Sequence, residues 1–229
     1  ILSIFPTTAL ADEADIDPQV DDHIEGGIEW NYASGVLTIS VAETPQDGYD
    51  PGQMKDYTPT NADARRDRPW QEYASEVTKI VFEEGVSNIG QRTFIEFTAL
   101  TDLEIPDSVM SYGTNCFHTC TALPSLHIGK QVSEIGQIGI SGATGMTSLT
   151  VDAENTNYAA IDNYLYRLNN ENNTAILWQV PAGVVADETI LEIPETIDWN
   201  GNSYTIVGIG DAEKDSYTLS GAKALEKIT

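Results

Sequence analysis

The chain has few of several residue types, and each shortage excludes a class of protein. Only two of its 229 residues are cysteine, which excludes a small fold held together by many disulfides. Lysine and arginine total 11 against 36 acidic residues, so the formal net charge is −25 and nucleic acid and anionic membrane surfaces are excluded as partners of the whole chain. No apolar run reaches the ~18 residues that a membrane span needs, so we expect no span in this segment.

What the chain does contain is a repeat. Residues 77–151 divide into blocks of 23 residues, which begin at Val77, Leu100, Leu123 and Met146. Apolar residues return at fixed places in these blocks and form five columns: Ile80, Leu103, Leu126 and Leu149; Phe82, Ile105, Ile128 and Val151; Val86, Val109 and Val132; Ile89, Tyr112 and Ile135; Phe94, Phe117 and Ile140. A fixed period in the twenties is typical of a leucine-rich repeat solenoid.

Each block predicts one coil of such a solenoid. The first two apolar columns lie two residues apart, as side chains on the inner face of a β-strand do. No coil buries its apolar face alone, so neighbouring coils must stack with equivalent residues in contact. We therefore expect Leu103 to lie against Leu126, and Ile89 against Tyr112.

A glycine follows the second apolar run of each coil, at Gly90, Gly113 and Gly136. This place suits a sharp bend, where a side chain costs energy. Positive φ is one reason for a glycine at a bend, and we predict it here.

The second block carries a resemblance to a known family. IPDSVMSYGTNCFHTCTAL resembles the unit LxxIxIPxxVxxIGxxAFxxCxx of the BspA-type leucine-rich repeat. The matching residues are Leu103, Ile105, Pro106, Val109, Gly113, Phe117 and Cys120. The chain departs from the unit at Tyr112 for Ile, Cys116 for Ala and Gly139-Ile140 for Ala-Phe, which we interpret as changes in packing. The resemblance extends from about Ile28 to the end and implies a mostly β solenoid from a bacterial surface or secreted protein.

The first 26 residues are predicted to lie outside the repeats. ILSIFPTTALA ends in Ala9-Leu10-Ala11, which is typical of a secretory signal peptide cut after Ala11. Residues 1–11 would then be a signal peptide remnant and the protein secreted or on the cell surface; a disordered apolar N-terminus is the alternative. Residues 12–26 form an acidic linker, whose spacing does not match a calcium loop.

Residues 27–76 are predicted to cap the solenoid, because an uncovered end coil would expose apolar surface. Alternating apolar residues on both sides of Ala33-Ser34-Gly35 predict a β-hairpin. Trp70 and Tyr73, three residues apart, predict a short helical turn that packs on the first coil.

Residues 77–229 are predicted to form the solenoid, with β-hairpins inserted at about 155–185 and 198–208. The first insertion follows the hairpin that recurs in BspA-like proteins, and an Asn200-Gly201 turn indicates the second. The strands of the first are predicted at Tyr164–Leu168 and Ala175–Val180. The coil that begins near the C-terminus is incomplete, so we expect the array to be truncated there.

Cys116 and Cys120 have three interpretations. They are two small buried thiols, a disulfide, or zinc ligands together with His118 and His127. Zinc sites usually show Cys-x2-Cys spacing, and the repeat register predicts that His118 points outward. Buried thiols are therefore favoured.

The only basic cluster is formed by Arg65, Arg66 and Arg68. We expect these arginines to lie on the surface and pair with the surrounding acidic residues. A binding role for them is the alternative.

The sequence contains no recognisable catalytic motif. It lacks G-x-S-x-G, H-E-x-x-H, a phosphate-binding loop and a dinucleotide fingerprint. Acidic pairs of the kind that glycosidases use are abundant, and nothing singles one out. We therefore predict no enzymatic activity, no cofactor and no metal.

Function is expected on the outward face of the predicted strands, where side chains vary while the inward columns stay apolar. The residues of this face are Lys79, Val81, Asp102, Glu104, Ser125, His127, Ser148 and Thr150. The resemblance implies a non-catalytic module that binds a host or bacterial surface protein or glycan. The alternatives are an accessory array of an exported hydrolase, whose catalytic part lies outside this segment, and a structural spacer.

Overall fold

The computed structural model describes the chain in five ranges, and every structural statement below refers to them. They are residues 23–57, 68–136, 142–185, 190–210 and 227–228. Within these ranges the chain forms seventeen β-strands and one 3₁₀ turn, and no α-helix is present. The prediction of a mostly β fold is confirmed.

The N-terminal hairpin is present where the sequence predicts it. β1 (Ile24–Glu25) and β2 (Ile28–Ala33) pair antiparallel, and β2 pairs antiparallel with β3 (Val36–Val41). Ser34 and Gly35 connect the two long strands with φ values of 50° and 84°. Positive φ at both central residues gives the turn the twist that a two-residue hairpin requires.

One wall of the solenoid is a set of parallel strands. β3 pairs with β4 (Lys79–Phe82), and β4 pairs with β6 (Asp102–Glu104). Further along, β8 (Ser125–Ile128) pairs with β10 (Ser148–Val151). Paired residues such as Lys79 and Asp102 are 23 positions apart, so the repeat unit of the sequence is the coil of the structure.

The opposite wall is a narrower parallel sheet. It consists of β5 (Asn88–Ile89), β7 (Ser111–Tyr112) and β9 (Glu134–Ile135). Ile89 lies opposite Tyr112, and Tyr112 opposite Ile135, as the sequence predicts. This ladder is continuous through all three coils.

The first wall, in contrast, is interrupted. β6 and β8 belong to different sheets, so the ladder contact expected between Leu103 and Leu126 is absent. Leu103 is half-buried, whereas Ile80 and Leu126 of the same column are buried. The prediction of unbroken stacking is wrong at this one junction.

The glycines of this column allow neighbouring coils to approach closely, and positive φ is not the reason for them. Gly90, Gly113 and Gly136 do not have positive φ. A Cβ atom on Gly113 would lie 2.3 Å from the backbone nitrogen of Gln91, in the preceding coil. Positive φ occurs instead in another column, which contains Glu96, Thr119 and Gly142 at intervals of 23 residues.

Aromatic rings join the N-terminal cap to the coils. Phe94 stacks on Phe117 with ring centroids 5.7 Å apart, and on its other side Trp70 stacks on Phe94 at 5.6 Å. The Trp70 indole N–H donates to the carbonyl oxygen of Thr93 at 2.9 Å. The predicted short turn is the 3₁₀ helix Gln71–Tyr73. The next position of this column, Ile140, lies outside the described residues.

A further sheet, which we call the second sheet, follows the coils. Its strands in spatial order are β11 (Tyr158–Ile161), β12 (Tyr164–Asn169), β13 (Thr174–Gln179), β16 (Asn202–Ile209) and β15 (Thr196–Trp199). β12 with β13, and β15 with β16, are the two hairpins predicted from the sequence. A short pair remains, in which β14 (Ile190–Leu191) runs parallel to β17 (Lys227–Ile228). The sheet has a hydrophobic core of its own.

Side chains of this second sheet cover the free edge of β9, the last strand of the narrower wall. The backbone N–H of Ile135 donates to the Tyr158 hydroxyl at 2.9 Å, and the Trp178 indole donates to the Ile135 carbonyl at 3.0 Å. These two bonds replace the ladder partner that a further coil would supply. An open strand edge is thereby closed without another repeat.

Candidate functional site

The predicted outward face is present on the interrupted wall. Along β4, β8 and β10 buried residues alternate with half-buried or exposed ones, and on β6 the two end residues are exposed. None of the eight residues predicted for this face is buried: Lys79, Val81, Ser148 are half-buried, and Asp102, Glu104, Ser125, His127 and Thr150 are exposed. The structure therefore divides them between two pairs of strands, one on each side of the interruption.

On the N-terminal side of the interruption the face carries an ion cluster. The Lys79 ammonium lies 3.0 Å from a carboxylate oxygen of Asp102 and also contacts Glu104. These hydrogen bonds, to Glu104 first and then to Asp102, raise the pKa of Lys79. One cation therefore holds two carboxylates of the neighbouring coil, and the cluster as a whole keeps a negative charge.

On the C-terminal side the face has no acidic, lysine or arginine side chain. Nδ1 of His127 lies 2.9 Å from the hydroxyl oxygen of Thr150 on the next coil. Ser125 and Ser148 occupy the other outward positions, which are paired in the ladder. This half of the face offers hydroxyl groups and an imidazole ring.

A cleft of about 450 Å³ lies between the two halves, where β6 and β8 are separated. Its floor is apolar and includes Phe82, Leu103 and Leu126. Its rim includes four of the predicted residues, Asp102, Glu104, Ser125 and His127. We call this cleft, with this floor and rim, the slot.

Pro124 is one cause of the slot. At the equivalent place in the coils on either side, the Thr101 N–H donates to the Thr78 carbonyl at 2.9 Å and the Thr147 N–H donates to the Pro124 carbonyl at 3.0 Å. Proline has no N–H, so the same bond from Pro124 to the preceding coil is impossible. The ladder loses its first hydrogen bond at the junction where it is broken.

Tyr112 is the second cause. It stands in a column otherwise filled by isoleucine, is buried, and spans the interior from β7 to the opposite wall. Its hydroxyl donates to the carbonyl oxygen of His127 at 3.3 Å. Its hydroxyl gives that carbonyl a partner in place of the lost strand.

Sequence reasoning missed the slot, although both signals are printed in the sequence. The interpretation of Tyr112 as a change in packing does not predict the slot, and no expectation is attached to Pro124. A proline at a ladder position beside an enlarged core residue would have indicated a broken junction.

Comparison with known families follows from this geometry. Residues 72–173 match the BspA type leucine rich repeat region in six copies. These residues are BspA-type leucine-rich repeats. The slot and all eight residues of the outward face lie inside this array.

Several solved structures resemble the chain that carries this BspA-type array. A leucine-rich repeat protein from Eubacterium ventriosum is 21% identical with a TM-score of 0.45, over 90% of this chain and 58% of that one. A leucine rich cell surface protein from Faecalibacterium prausnitzii is 16% identical with a TM-score of 0.41, over 89% and 75%. The pneumococcal vaccine antigen PcpA is 16% identical with a TM-score of 0.43, over 90% and 69%. The chain thus spans little more than half the length of the first of these proteins. No protein of curated function matches it.

The two cysteines of the BspA-type array form no disulfide, and both are buried. The Cys120 thiol donates to the Phe94 carbonyl at 3.1 Å. Burial raises the pKa of Cys116 and raises that of Cys120 to about 12. Of the three interpretations, buried thiols are the one that the structure shows.

The structure corrects the expected position of His118. This residue is half-buried, and Ile95, one coil earlier in the same column, is buried. The column therefore does not face outward. Among the described residues, no group of three or more histidine, cysteine or acidic side chains has the arrangement of a metal site.

The expectation for the basic cluster is also wrong at Arg68, which is 3% exposed. Its guanidinium donates to the carbonyl oxygen of Arg92 and to the side chain of Gln71. It thus ties the N-terminal cap to the first coil. Arg65 and Arg66 lie outside the described residues.

No helix in the described ranges is long and apolar enough to cross a membrane.

Proposed function

We propose that this chain is a non-catalytic binding module of a secreted or surface-exposed bacterial protein. Its ligand is a host or bacterial surface protein or glycan, and it binds the outward face of the interrupted wall. The cell-surface assignment is supported by the BspA-type repeats.

One observation carries the proposal. On four strands the inward columns remain apolar from coil to coil. The outward positions change from a lysine and a valine to two carboxylates, then to serine and histidine, and finally to serine and threonine. The inward columns meet the needs of folding. The outward positions vary in chemistry on a rigid scaffold, as recognition surfaces of solenoids do.

The slot is a further reason to place the binding site on this face. Binding sites are usually concave and apolar with a few polar groups at their edges. The slot has an apolar floor and a polar rim, and it interrupts the face that the sequence selects.

The experiment is binding of the purified chain to an immobilised panel of mucins, matrix proteins and bacterial surface glycans. The variants Glu104→Gln and His127→Ala change the two sides of the slot. Glu171→Gln, in the exposed turn between β12 and β13, is the matched control. We expect a ligand whose retention falls at least about tenfold in the first two variants and is unchanged in the control.

Two results would refute this proposal. One is the absence of any retained ligand, which would favour a structural spacer or an accessory array of a hydrolase. The other is a ligand that all three variants retain equally well.

A further inference from the structure

The slot has unpaired backbone on both sides. In a parallel strand, successive residues direct their backbone groups to opposite sides. On β8, the carbonyls of Pro124 and Ile128 accept from β10 and the residue after it. The N–H and C=O of Ser125 and the N–H of His127 therefore face β6, from which they receive no ladder partner. The His127 carbonyl on this side accepts from the Tyr112 hydroxyl.

The other side of the slot is complementary. The Asp102 N–H donates to the Thr78 carbonyl, on the side of β4. The N–H and C=O of Leu103 consequently face β8. Two parallel strands thus present donors and acceptors to each other across a gap that neither fills, and such groups have a strong requirement for partners.

We propose, within the binding role argued above, that the slot receives one extended polypeptide segment as an additional strand between β6 and β8. The segment pairs with Leu103 on one side and with Ser125 and the N–H of His127 on the other. Strand addition obtains affinity from main-chain hydrogen bonds and specificity from alternate side chains. At about 3.3 Å per residue, β8 offers room for four or five ligand residues.

The two faces of the slot predict the ligand's sequence pattern. Alternate side chains of an inserted strand point inward and outward. An inward side chain meets Phe82, Leu103 and Leu126, which favour valine or isoleucine. An outward side chain meets the carboxylates of Asp102 and Glu104, which share the single lysine Lys79 and favour a basic residue. The pattern is basic, β-branched, basic, β-branched.

Charge argues against a second copy of this chain as the occupant. Each copy carries a formal net charge of −25, and the rim itself is acidic. Two such surfaces repel one another. A glycan would fill the slot without the regular spacing of amide donors and acceptors that the two strands offer.

The first test uses three fluorescent peptides with the full chain. One peptide is acetyl-KVKVKV-amide; the second has the same composition in the order KKKVVV; the third is the first with N-methyl groups on its valines. We expect the alternating peptide to bind at least about tenfold more tightly than both others. Equal binding of the block peptide, or of the N-methylated peptide, would overturn strand addition and indicate charge attraction alone.

The second test closes the slot. The double variant Tyr112→Ile/Pro124→Thr restores the residues that stand at these places in neighbouring coils, and Pro194→Thr is the control at an exposed proline outside the slot. We expect the double variant to fold, to protect the amides of Ser125 and His127 from hydrogen exchange, and to lose peptide binding by at least about tenfold. Slow exchange of these amides in the unaltered protein, or unchanged binding in the double variant, would overturn the inference.

The outcome also separates this inference from the proposed function. If the panel yields a ligand that depends on Glu104 and His127 while the alternating peptide does not bind, the binding role stands and strand addition fails. If neither the panel nor the peptides bind, both fail.

Discussion

The hydroxyl of Tyr112 and the carbonyl oxygen of His127 are joined by a 3.3 Å hydrogen bond that crosses the interior of the solenoid. Tyr112 belongs to the narrow wall, and His127 to the wall that is interrupted. At the other junctions a neighbouring strand supplies the hydrogen bond to such a main-chain carbonyl. Here a core side chain supplies it. The slot is therefore part of the way the coils pack, and the Tyr112 side chain belongs to that packing.

The first prediction removes this hydroxyl. Tyr112→Phe deletes one hydrogen bond and keeps the ring in the core, so we expect the free energy of unfolding to fall by about 0.5–1.5 kcal/mol. Urea denaturation followed by circular dichroism measures the change. Tyr49→Phe, at a half-buried position in the cap loop, is the control and should differ by less than about 0.5 kcal/mol. A loss no larger at Tyr112 than at Tyr49 would contradict the role assigned to this bond.

Much of the fold follows from the sequence because the repeat acts at short range. Residues 23 positions apart pair in both walls, and the hairpin turn at Ser34-Gly35 needs positive φ that this dipeptide adopts readily. Where the inward columns are apolar, the outward positions follow from strand alternation alone. These features require no knowledge of distant contacts.

The slot could not be obtained in this way. Its formation depends on Pro124, which lacks one donor, and on Tyr112, which is too long for its column and reaches the opposite wall. The repeat register places both residues at this junction, but it does not show that the Tyr112 hydroxyl reaches the His127 carbonyl.

The glycine column gives the second prediction. A Cβ atom at Gly113 would lie 2.3 Å from the Gln91 nitrogen and 2.6 Å from its Cα, both backbone atoms that cannot rotate away. Gly113→Ala should therefore force two coils apart and lower the free energy of unfolding by about 1–3 kcal/mol. Thermal unfolding monitored by circular dichroism measures the loss.

Gly129→Ala is the matched control for this prediction. The only atom near its added methyl group would be a carboxylate oxygen of Asp107 at 3.8 Å, and its φ is not positive. The substitution should leave stability unchanged or raise it by about 0.4–1 kcal/mol, because alanine reduces the entropy of the unfolded chain. Equal destabilisation at both glycines would show that close approach of coils is not what selects Gly113.

The buried thiols give the third prediction, which concerns pH. Burial raises the pKa of Cys120 to about 12 and raises that of Cys116 as well. In the unfolded chain both thiols ionise near the usual value of about 8.5. The folded state therefore holds more protons between these values, and the stability that the thiols contribute is complete below about pH 8.5 and is lost as pH rises toward 12.

The measurement compares the unaltered chain with Cys116→Ala/Cys120→Ala by urea denaturation from pH 7 to pH 10.5. The difference in unfolding free energy should shift against the unaltered chain by up to about 1.4 kcal/mol per pH unit for each thiol once pH exceeds about 8.5. Native thiols should also react with a disulfide reagent only after urea is added, because the thiolate is the reactive form. Rapid labelling of the native protein, or a difference that does not change with pH, would contradict the burial described here.

The last prediction concerns the end of the coils, where Asn155 occupies the next place in the column of Val86, Val109 and Val132. Asn155 is fully buried. Its amide nitrogen donates to the carbonyls of Gly129 and Val132 at 2.8 and 2.9 Å. Its side-chain oxygen accepts from the N–H groups of Asn157 and Tyr158 at 2.8 and 2.9 Å.

A single side chain thus satisfies four main-chain groups at the boundary between the coils and the second sheet. Asn155→Ala would leave the N–H groups of Asn157 and Tyr158 without this acceptor. The carbonyls of Gly129 and Val132 would lose one donor each and keep only their longer bonds from Val132 and Asn157. Each buried group left without a partner costs about 1–3 kcal/mol. We expect a loss of about 3 kcal/mol or more in the free energy of unfolding by urea. Asn172→Ala, in the exposed turn between β12 and β13, should change it by less than about 0.5 kcal/mol. If the two variants unfolded at the same urea concentration, Asn155 would not be the residue that ends the apolar ladder, and the bonds of Tyr158 and Trp178 to Ile135 would join the second sheet to the coils without it.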